Sequence, residues 1–142
     1  MQVVIVDDSE MDRYIARRVL MKSSEVASIE EAVSGDAFLE MYFSGGKGSH
    51  TGDPRLCVLM DINMPGRNGF ETIEEMEVRI RDGRGPECVV VMMLTSSLAS
   101  SDRKAADALQ SVKGQLAKPL GSDGVQEILH TFREIHSKTK GV

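Results

Sequence analysis

The sequence predicts an α/β fold, a doubly wound five-stranded parallel sheet with helices on both faces. Three short apolar runs, rich in β-branched residues, do not alternate with polar residues, as expected of strands that are covered on both faces. Patterns of helical periodicity lie between these runs, and strand and helix patterns alternate five times along the chain. Such alternation is typical of a parallel sheet whose connections are helices.

The strands are predicted from their apolar content. The three strongest runs cover residues 3–6, 56–60 and 88–94. A weaker run over residues 27–33 and a short one over residues 115–117 supply two further strands. The chain therefore holds the five strands that the alternating pattern requires.

The helices are predicted from a cap and from apolar spacing. Ser9 and Asp12 have the spacing of a capping box, and apolar residues follow them at helical intervals, which predicts a first helix. Apolar residues three and four positions apart predict four more helices, around residues 37–42, 70–80, 105–109 and 125–135.

Charge and composition argue against several classes of function. Lys and Arg total 17 against 22 Asp and Glu, and a formal net charge of −5 is the opposite of the basic footprint of a nucleic-acid-binding protein. No apolar run approaches the length of a membrane span, and the first residues lack the pattern of a secretory signal. Cys57 and Cys88 lie in apolar runs, which is typical of buried thiols in a reducing compartment, so the expected location is the cytoplasm.

The chain is expected to form one domain, because its 142 residues lie in the usual size range of a single domain. Residues 44–54 are rich in Gly and polar residues, which predicts a flexible loop, and residues 138–142 are expected to form a short C-terminal tail. The strand and helix pattern occupies the rest. Residues 1–142 are therefore interpreted as one domain without an output domain.

Polar side chains stand at the ends of four predicted strands. They are Asp7, Asp8, Asp61, Thr95, Ser96 and Lys118. In a doubly wound sheet the carboxyl ends of the strands meet at one edge, where ligands bind. Three carboxylates and one lysine carry a net charge of −2, which a divalent cation neutralises. Because the ligands are oxygens, a hard ion such as Mg²⁺ suits them better than zinc.

Four motifs lie at these strand ends: Val-Asp-Asp at 6–8, Met-Asp-Ile-Asn-Met-Pro-Gly-Arg-Asn-Gly at 60–69, Leu-Thr-Ser at 94–96 and Leu-Ala-Lys-Pro at 116–119. In this order they resemble the motifs of response-regulator receiver domains, the phosphorylation switches of bacterial two-component signalling. The resemblance covers residues 1 to about 136. It implies a flavodoxin-like fold with the strand order 2-1-3-4-5.

The resemblance implies a phosphoryl acceptor and a metal site. Asp61 would accept a phosphoryl group from a phosphohistidine on a histidine kinase or a histidine phosphotransfer protein. Asp8, Asp61 and the main-chain carbonyl of Asn63 would bind Mg²⁺ or Mn²⁺, with Asp7 acting through water. A carboxylate is a competent nucleophile for such a transfer, and charge neutralisation is what its transition state requires.

The resemblance also implies contacts to the phosphoryl oxygens and a switch position. Thr95, Ser96 and Lys118 would contact those oxygens. Gln115 stands three residues before the motif lysine, where the family usually carries Tyr or Phe. A change of hydrogen bonds at Gln115, or an output surface elsewhere, would have to replace the movement of that aromatic ring.

The leading hypothesis is a stand-alone receiver that binds a downstream protein differently when phosphorylated. It would act as a signalling switch rather than as an enzyme, and as a monomer or a phosphorylation-dependent dimer. Two alternatives stay open: a phosphate sink or shuttle in a phosphorelay, and a degenerate receiver that is a constitutive binding module. An aspartate-nucleophile phosphatase is disfavoured because Asn63 stands where a second carboxylic acid would be needed. A flavodoxin-like electron carrier is disfavoured because Asp7 and Asp8 would repel the flavin phosphate.

The first predicted helix carries four basic residues at intervals of one or four positions, Arg13, Arg17, Arg18 and Lys22. Two interpretations of this basic stripe stay open, a solvated helix face and a docking surface for a phosphotransfer partner. His130 and His136 lie six residues apart on the last helix, which places them on different faces and argues against a metal pair.

Overall fold

The computed structural model describes residues 1–45, 55–86, 88–96 and 100–140, in which five strands alternate with five helices. The strands are β1 (Gln2–Val6), β2 (Ser28–Ala32), β3 (Arg55–Asp61), β4 (Cys88–Thr95) and β5 (Val112–Ala117). The helices are α1 (Glu10–Leu20), α2 (Gly35–Phe43), α3 (Gly69–Arg81), α4 (Ser100–Asp107) and α5 (Ser122–Lys140).

All five strands form one parallel sheet in the order β2-β1-β3-β4-β5. Val6 pairs with Met60, Asp61 pairs with Leu94, and Thr95 pairs with Ala117. This register brings the carboxyl ends of β1, β3, β4 and β5 to one edge of the sheet. The fold class and the strand order predicted from the sequence are confirmed.

The core has two apolar layers, one on each face of the sheet. Val4, Val58 and Val91 belong to the layer covered by α2, α3 and α4. Their immediate neighbours in the sequence, such as Cys57 and Val90, belong to the layer covered by α1 and α5. Because successive residues of a strand point to opposite faces, a strand covered on both faces must be apolar throughout. This explains the continuous apolar runs of β1, β3 and β4.

The strand β5 differs most from its prediction. It begins at Val112, three residues before the predicted start at Gln115. Lys113 and Gly114 interrupt the apolar pattern, so the sequence does not indicate a strand there. An edge strand such as β5 can include such residues because it needs less apolar surface than a central strand. The register between β4 and β5 also shifts between Val91 and Met92.

The predicted loop lies almost wholly outside the described residues, and the predicted tail lies partly outside them. Ser44 ends α2 as its C-cap, and residues 46–54 of the predicted loop are not described. The helix α5 continues to Lys140, past the predicted start of the tail at residue 138, and residues 141–142 are not described. No helix in the described ranges has the length and apolar content needed to cross a membrane.

The two thiols have different environments. Cys57 is buried in β3, and this burial raises the pKa of its thiol to about 12. Cys88 was predicted to be buried but is partly exposed, because it is the first residue of β4. Its Sγ lies 3.9 Å from Nδ1 of His136, whose ring packs against Phe132 at a centroid distance of 4.1 Å. Both cysteines are free thiols.

Candidate functional site

Three carboxylates meet at the edge of the sheet where β1 and β3 end. Asp7, Asp8 and Asp61 each offer one oxygen, and these three oxygens lie within 4.8 Å of one another. Asp7 and Asp61 are buried, whereas Asp8 is exposed. Oxygens bound to one Mg²⁺ at about 2.0–2.1 Å lie no more than about 4.2 Å apart, so small side-chain movements would fit this group to the ion. The structure thus brings together the three carboxylates that the sequence predicts.

Lys118 reaches the same place from the residue that follows β5. Its Nζ lies 2.7 Å from Oδ2 of Asp7 and 3.1 Å from Oδ1 of Asp61. The backbone N–H of Lys118 donates to the carbonyl of Thr95 at 2.8 Å, which extends the pairing of β4 with β5 by one residue. Lys118 therefore lies beside the carboxylates as predicted, and its ammonium pairs directly with Asp7 and Asp61.

A fourth carboxylate, Asp12 in the first turn of α1, was not predicted as a site residue. Its Oδ2 accepts a hydrogen bond of 3.0 Å from Nζ of Lys118. The sequence assigned Asp12 to a capping box with Ser9, and half of that box is present, since Oγ of Ser9 accepts from the Asp12 N–H at 3.2 Å. The other half is missing, because the N–H of Ser9 donates to Oδ1 of Asp7 at 2.9 Å. The Asp12 carboxylate is thereby available to Lys118.

The electrostatics of the group shift the pKa values of two members. Burial raises the pKa of Asp61 to about 6, and the negative charge of Asp7 adds to this effect, although Lys118 opposes it. Burial by itself lowers the pKa of Lys118, but the contacts with Asp7 and Asp12 and the charge of Asp61 outweigh it and raise that pKa above its ordinary value. Lys118 therefore stays an ammonium at neutral pH.

The residues predicted to supply hydroxyl and carbonyl groups to the site differ in burial. Thr95 is the last residue of β4 and is buried, whereas Ser96 follows it and is exposed. Asn63 is exposed in the loop between β3 and α3, two residues after Asp61. Thr95 and Ser96 thus stand at the end of β4, the strand that pairs with β3, and Asn63 stands in the loop after β3.

The loop after Asp61 depends on a glycine. A Cβ at Gly69 would overlap the carbonyl oxygen of Asp61 and lie 3.0 Å from Cα of Ile62. The Gly69 N–H donates to the Ile62 carbonyl at 2.9 Å. The start of α3 is therefore packed directly on the backbone of the residue that carries the central carboxylate, which holds the loop close to the sheet.

Gln115, at the predicted switch position, pairs with Met93 in the β4–β5 ladder. Its Oε1 and Nε2 are both buried and have no hydrogen-bond partner among the described residues. A cavity of about 310 Å³ between α4 and β5 lies beside it. A buried polar group without a partner costs about 1–3 kcal/mol. A conformation in which the Gln115 amide formed hydrogen bonds would therefore gain stability relative to this one.

The predicted basic stripe of α1 is divided by the structure. Arg13 and Arg17 both pair with Glu31 of β2, at 3.0 and 2.6 Å. These pairs hold α1 against the edge strand β2. Because both guanidinium groups are paired with Glu31, Arg13 and Arg17 match neither a solvated helix face nor a docking surface. Arg18 is exposed on α1. Lys22 is also exposed, but it lies beyond the end of α1 at Leu20, so its predicted place on the helix is wrong.

The sequence is similar to proteins of one family. The family model for the response regulator receiver domain matches residues 3–130. The nitrate/nitrite response regulator protein NarL of Escherichia coli is 26% identical over 129 residues, which cover 90% of this chain and 52% of NarL. The chemotaxis protein CheY of Halobacterium salinarum is 41% identical over 76 residues, or 54% of this chain and 55% of that protein. The chain thus spans about half the length of the curated relatives it matches.

Solved structures share the fold. The response regulator receiver protein from Dyadobacter fermentans superposes with a TM-score of 0.76 and 28% identity, over 93% of this chain and 97% of that chain. A two-component response regulator from Legionella pneumophila superposes with a TM-score of 0.73 and 26% identity, over 94% and 98% of the respective chains.

Proposed function

The chain belongs to the response regulator receiver family, and from that premise we propose that Asp61 is its phosphorylation site. Asp61 accepts a phosphoryl group from a phosphohistidine on a histidine kinase or a histidine phosphotransfer protein. The observation that carries this proposal is the position of Asp61, buried at the end of β3, within reach of two further carboxylates and 3.1 Å from the Lys118 ammonium. Receiver domains are signalling switches and not classical enzymes.

In the transfer, an Asp61 carboxylate oxygen forms a bond to phosphorus while the phosphorus–nitrogen bond breaks. The electron pair of that bond stays on the ring nitrogen of the donor imidazole, which takes up a proton from solvent unless the other ring nitrogen already carries one. The Asp61 pKa of about 6 leaves this carboxylate largely ionised at neutral pH. Lys118 offsets part of the negative charge that gathers around phosphorus, which is the main task of a protein that catalyses phosphoryl transfer.

The metal ligands are proposed as Asp8, Asp61 and the main-chain carbonyl of Asn63, with Asp7 acting through water. A Mg²⁺ or Mn²⁺ ion there would supply further charge neutralisation at the phosphoryl oxygens. The contacts of Asp7 support its indirect role, because its Oδ1 accepts from the Ser9 N–H and its Oδ2 pairs with Lys118. Asp8 is exposed and can approach an ion without losing such contacts.

The phosphoryl oxygens are proposed to be contacted by Thr95, Ser96 and Lys118. A phosphorylated side chain carries a charge of about −1.5 to −2 and needs donors for its oxygens. Thr95 and Ser96 supply hydroxyls at the end of β4, the strand that pairs with β3. Movement of these hydroxyls toward the new group would begin the conformational switch.

The consequence of phosphorylation is proposed to be a change of binding to a downstream protein in the cytoplasm, with the receiver acting as a monomer or dimerising when phosphorylated. Gln115, with its buried and unpartnered amide, supports a switch that exchanges hydrogen bonds instead of moving a ring. The same residue favours a second candidate, a phosphate sink or shuttle in a phosphorelay, because the usual aromatic coupling is missing.

Intact mass after incubation with acetyl phosphate and Mg²⁺ tests the proposal. Wild type and Asp82→Asn, which alters an exposed carboxylate beyond the site, should each gain one phosphoryl group, and Asp61→Asn should gain none. A wild-type protein that gains no phosphoryl group would contradict the proposal and favour a degenerate receiver that binds its partner constitutively.

A further inference from the structure

We infer that Asp12 restrains the phosphorylation of Asp61, because it holds the Lys118 ammonium and adds negative charge beside the acceptor. Asp12 is then a positioning residue that acts through Lys118. This inference rests on the proposed phosphorylation of Asp61. Asp12 lies in α1 and is not part of any of the four motifs at the strand ends.

The Asp12 carboxylate is not used to cap its own helix. In α3 the capping box is complete: Asn68 Oδ1 accepts from the Glu71 N–H at 2.9 Å, and Glu71 Oε1 accepts from the Asn68 N–H at 3.0 Å. In α1 the equivalent N–H, that of Ser9, donates to Asp7. The capping box is thus complete in α3 and incomplete in α1. In α1 the carboxylate at the third helical position bonds instead to Lys118, 106 residues away.

Three carboxylates share the Lys118 ammonium. An ammonium has three N–H donors, and Nζ contacts Asp7, Asp12 and Asp61 at 2.7, 3.0 and 3.1 Å. Of the three contacts, the one with Asp12 is a hydrogen bond, and the other two are ion pairs. A phosphoryl oxygen that takes this donor must therefore displace Asp12.

Asp12 is the carboxylate that can release the ammonium most easily. Its side chain is 34% exposed, whereas those of Asp7 and Asp61 are 2% and 7% exposed. Asp7 is also held through its second oxygen by the Ser9 N–H. Water can solvate Asp12 once its bond to Lys118 is broken, so the phosphoryl group displaces Asp12 and leaves the buried pair with Asp7 intact.

The charge of Asp12 acts in the same direction. Oδ2 of Asp12 and Oδ1 of Asp61 both contact Nζ, so these oxygens lie no more than about 6 Å apart. A phosphoryl donor is an anion, and it approaches this group against the charge of Asp12. Removal of that charge lowers the repulsion and also frees a lysine donor.

The experiment compares the initial rates at which acetyl phosphate with Mg²⁺ phosphorylates wild type, Asp12→Asn, Asp12→Glu and Glu10→Gln, followed by intact mass. Asp12→Asn should be about two- to fivefold faster than wild type, since exposed charge pairs contribute up to about 1 kcal/mol, which is about fivefold in rate. Asp12→Glu keeps the charge and should stay near the wild-type rate. Glu10→Gln is the matched control, because Glu10 is exposed, lies in the same helical turn and does not contact Lys118.

Salt separates this role from a structural one. The ratio of the Asp12→Asn rate to the wild-type rate should fall toward one at about 1 M salt, because the charge of Asp12 is then screened. A variant that only disturbed the start of α1 would show no such dependence. Ser9 caps through the Asp12 backbone N–H, so Asp12→Asn keeps that bond.

Two results would overturn the inference, and only one of them would also contradict the phosphorylation of Asp61. If wild type is phosphorylated and Asp12→Asn is no faster than Glu10→Gln, the restraint by Asp12 is wrong and the proposed function stands. If wild type gains no phosphoryl group, the proposed function fails and the inference fails with it.

Discussion

Lys118 and Asp7 form the shortest ion pair of the described site, with Nζ 2.7 Å from Oδ2. The pair joins the residue after β5 to the residue after β1, across the two strands β3 and β4 that lie between them in the sheet. Both side chains are largely buried, at 13% and 2% exposure. Loss of the lysine would therefore leave Asp7 and Asp61 buried beside each other without a counter-charge.

Replacement of Lys118 by Met should destabilise the metal-free protein and slow its phosphorylation. Removal of one partner of a well-buried ion pair costs about 3–5 kcal/mol, and the partial exposure of Lys118 reduces the expected loss to about 1–3 kcal/mol. Urea unfolding measures it. Lys113→Met, in the exposed part of β5, is the matched control, and equal stability of the two variants would contradict the counter-charge role.

Addition of Mg²⁺ at pH 7 should raise the melting temperature, because the ion binds the carboxylates only when folding brings them together. At about 100 times its dissociation constant a ligand adds about 2.7 kcal/mol to the free energy of unfolding. Asp8→Asn should show a smaller shift, since one proposed ligand is lost. Melting curves at matched ionic strength with NaCl provide the control, and a wild-type curve that does not respond to millimolar Mg²⁺ would exclude the site.

The metal-free protein should lose stability relative to Asp61→Asn between about pH 4 and pH 6. Burial raises the Asp61 pKa from 3.8 to about 6, so the folded protein binds a proton more tightly than the unfolded chain. The stability from this bound proton is present below about pH 4 and is lost as pH rises through about 6. After allowance for solvent screening the loss amounts to about 1–2 kcal/mol. Urea unfolding with a chelator across this range measures it, and a pH-independent difference between the two proteins would refute the raised pKa.

Gln115→Met should increase the stability of the unphosphorylated protein by about 1–2 kcal/mol. The substitution nearly preserves the side-chain volume and removes two buried polar atoms that lack partners in the described structure. Gln126→Met, on the exposed face of α5, should change stability little. Destabilisation by Gln115→Met would mean that the amide makes hydrogen bonds in solution.

Gly69→Ala should destabilise the fold by about 1–3 kcal/mol, the usual cost of overpacking, and should slow phosphorylation. The new Cβ would overlap the Asp61 carbonyl oxygen and push α3 away from β3. Gly121→Ala is the control, because a Cβ there would meet no atom within 4 Å. Wild-type stability and rate in Gly69→Ala would show that the loop adapts freely.

The fold and much of the site follow from local features of the sequence. The strands β1, β3 and β4 are buried on both faces, so their apolar runs are visible without knowledge of the tertiary structure. Since parallel strands end at one edge, the carboxylates of Asp7, Asp8 and Asp61 and the Lys118 ammonium could be placed together from the strand ends alone.

Tertiary structure decided which partner each polar side chain takes. Asp12 has the spacing of a capping residue, but its carboxylate bonds to Lys118 because Asp7 takes the Ser9 N–H. Arg13 and Arg17 have the spacing of an exposed stripe, but they bind Glu31 across to β2. Apolar periodicity reports which face of an element is buried, whereas a hydrogen bond depends on atoms that approach within about 3 Å from distant parts of the chain. The sequence therefore determined the sheet and its ligand-binding edge, and the folded structure determined the contacts of the charged groups there.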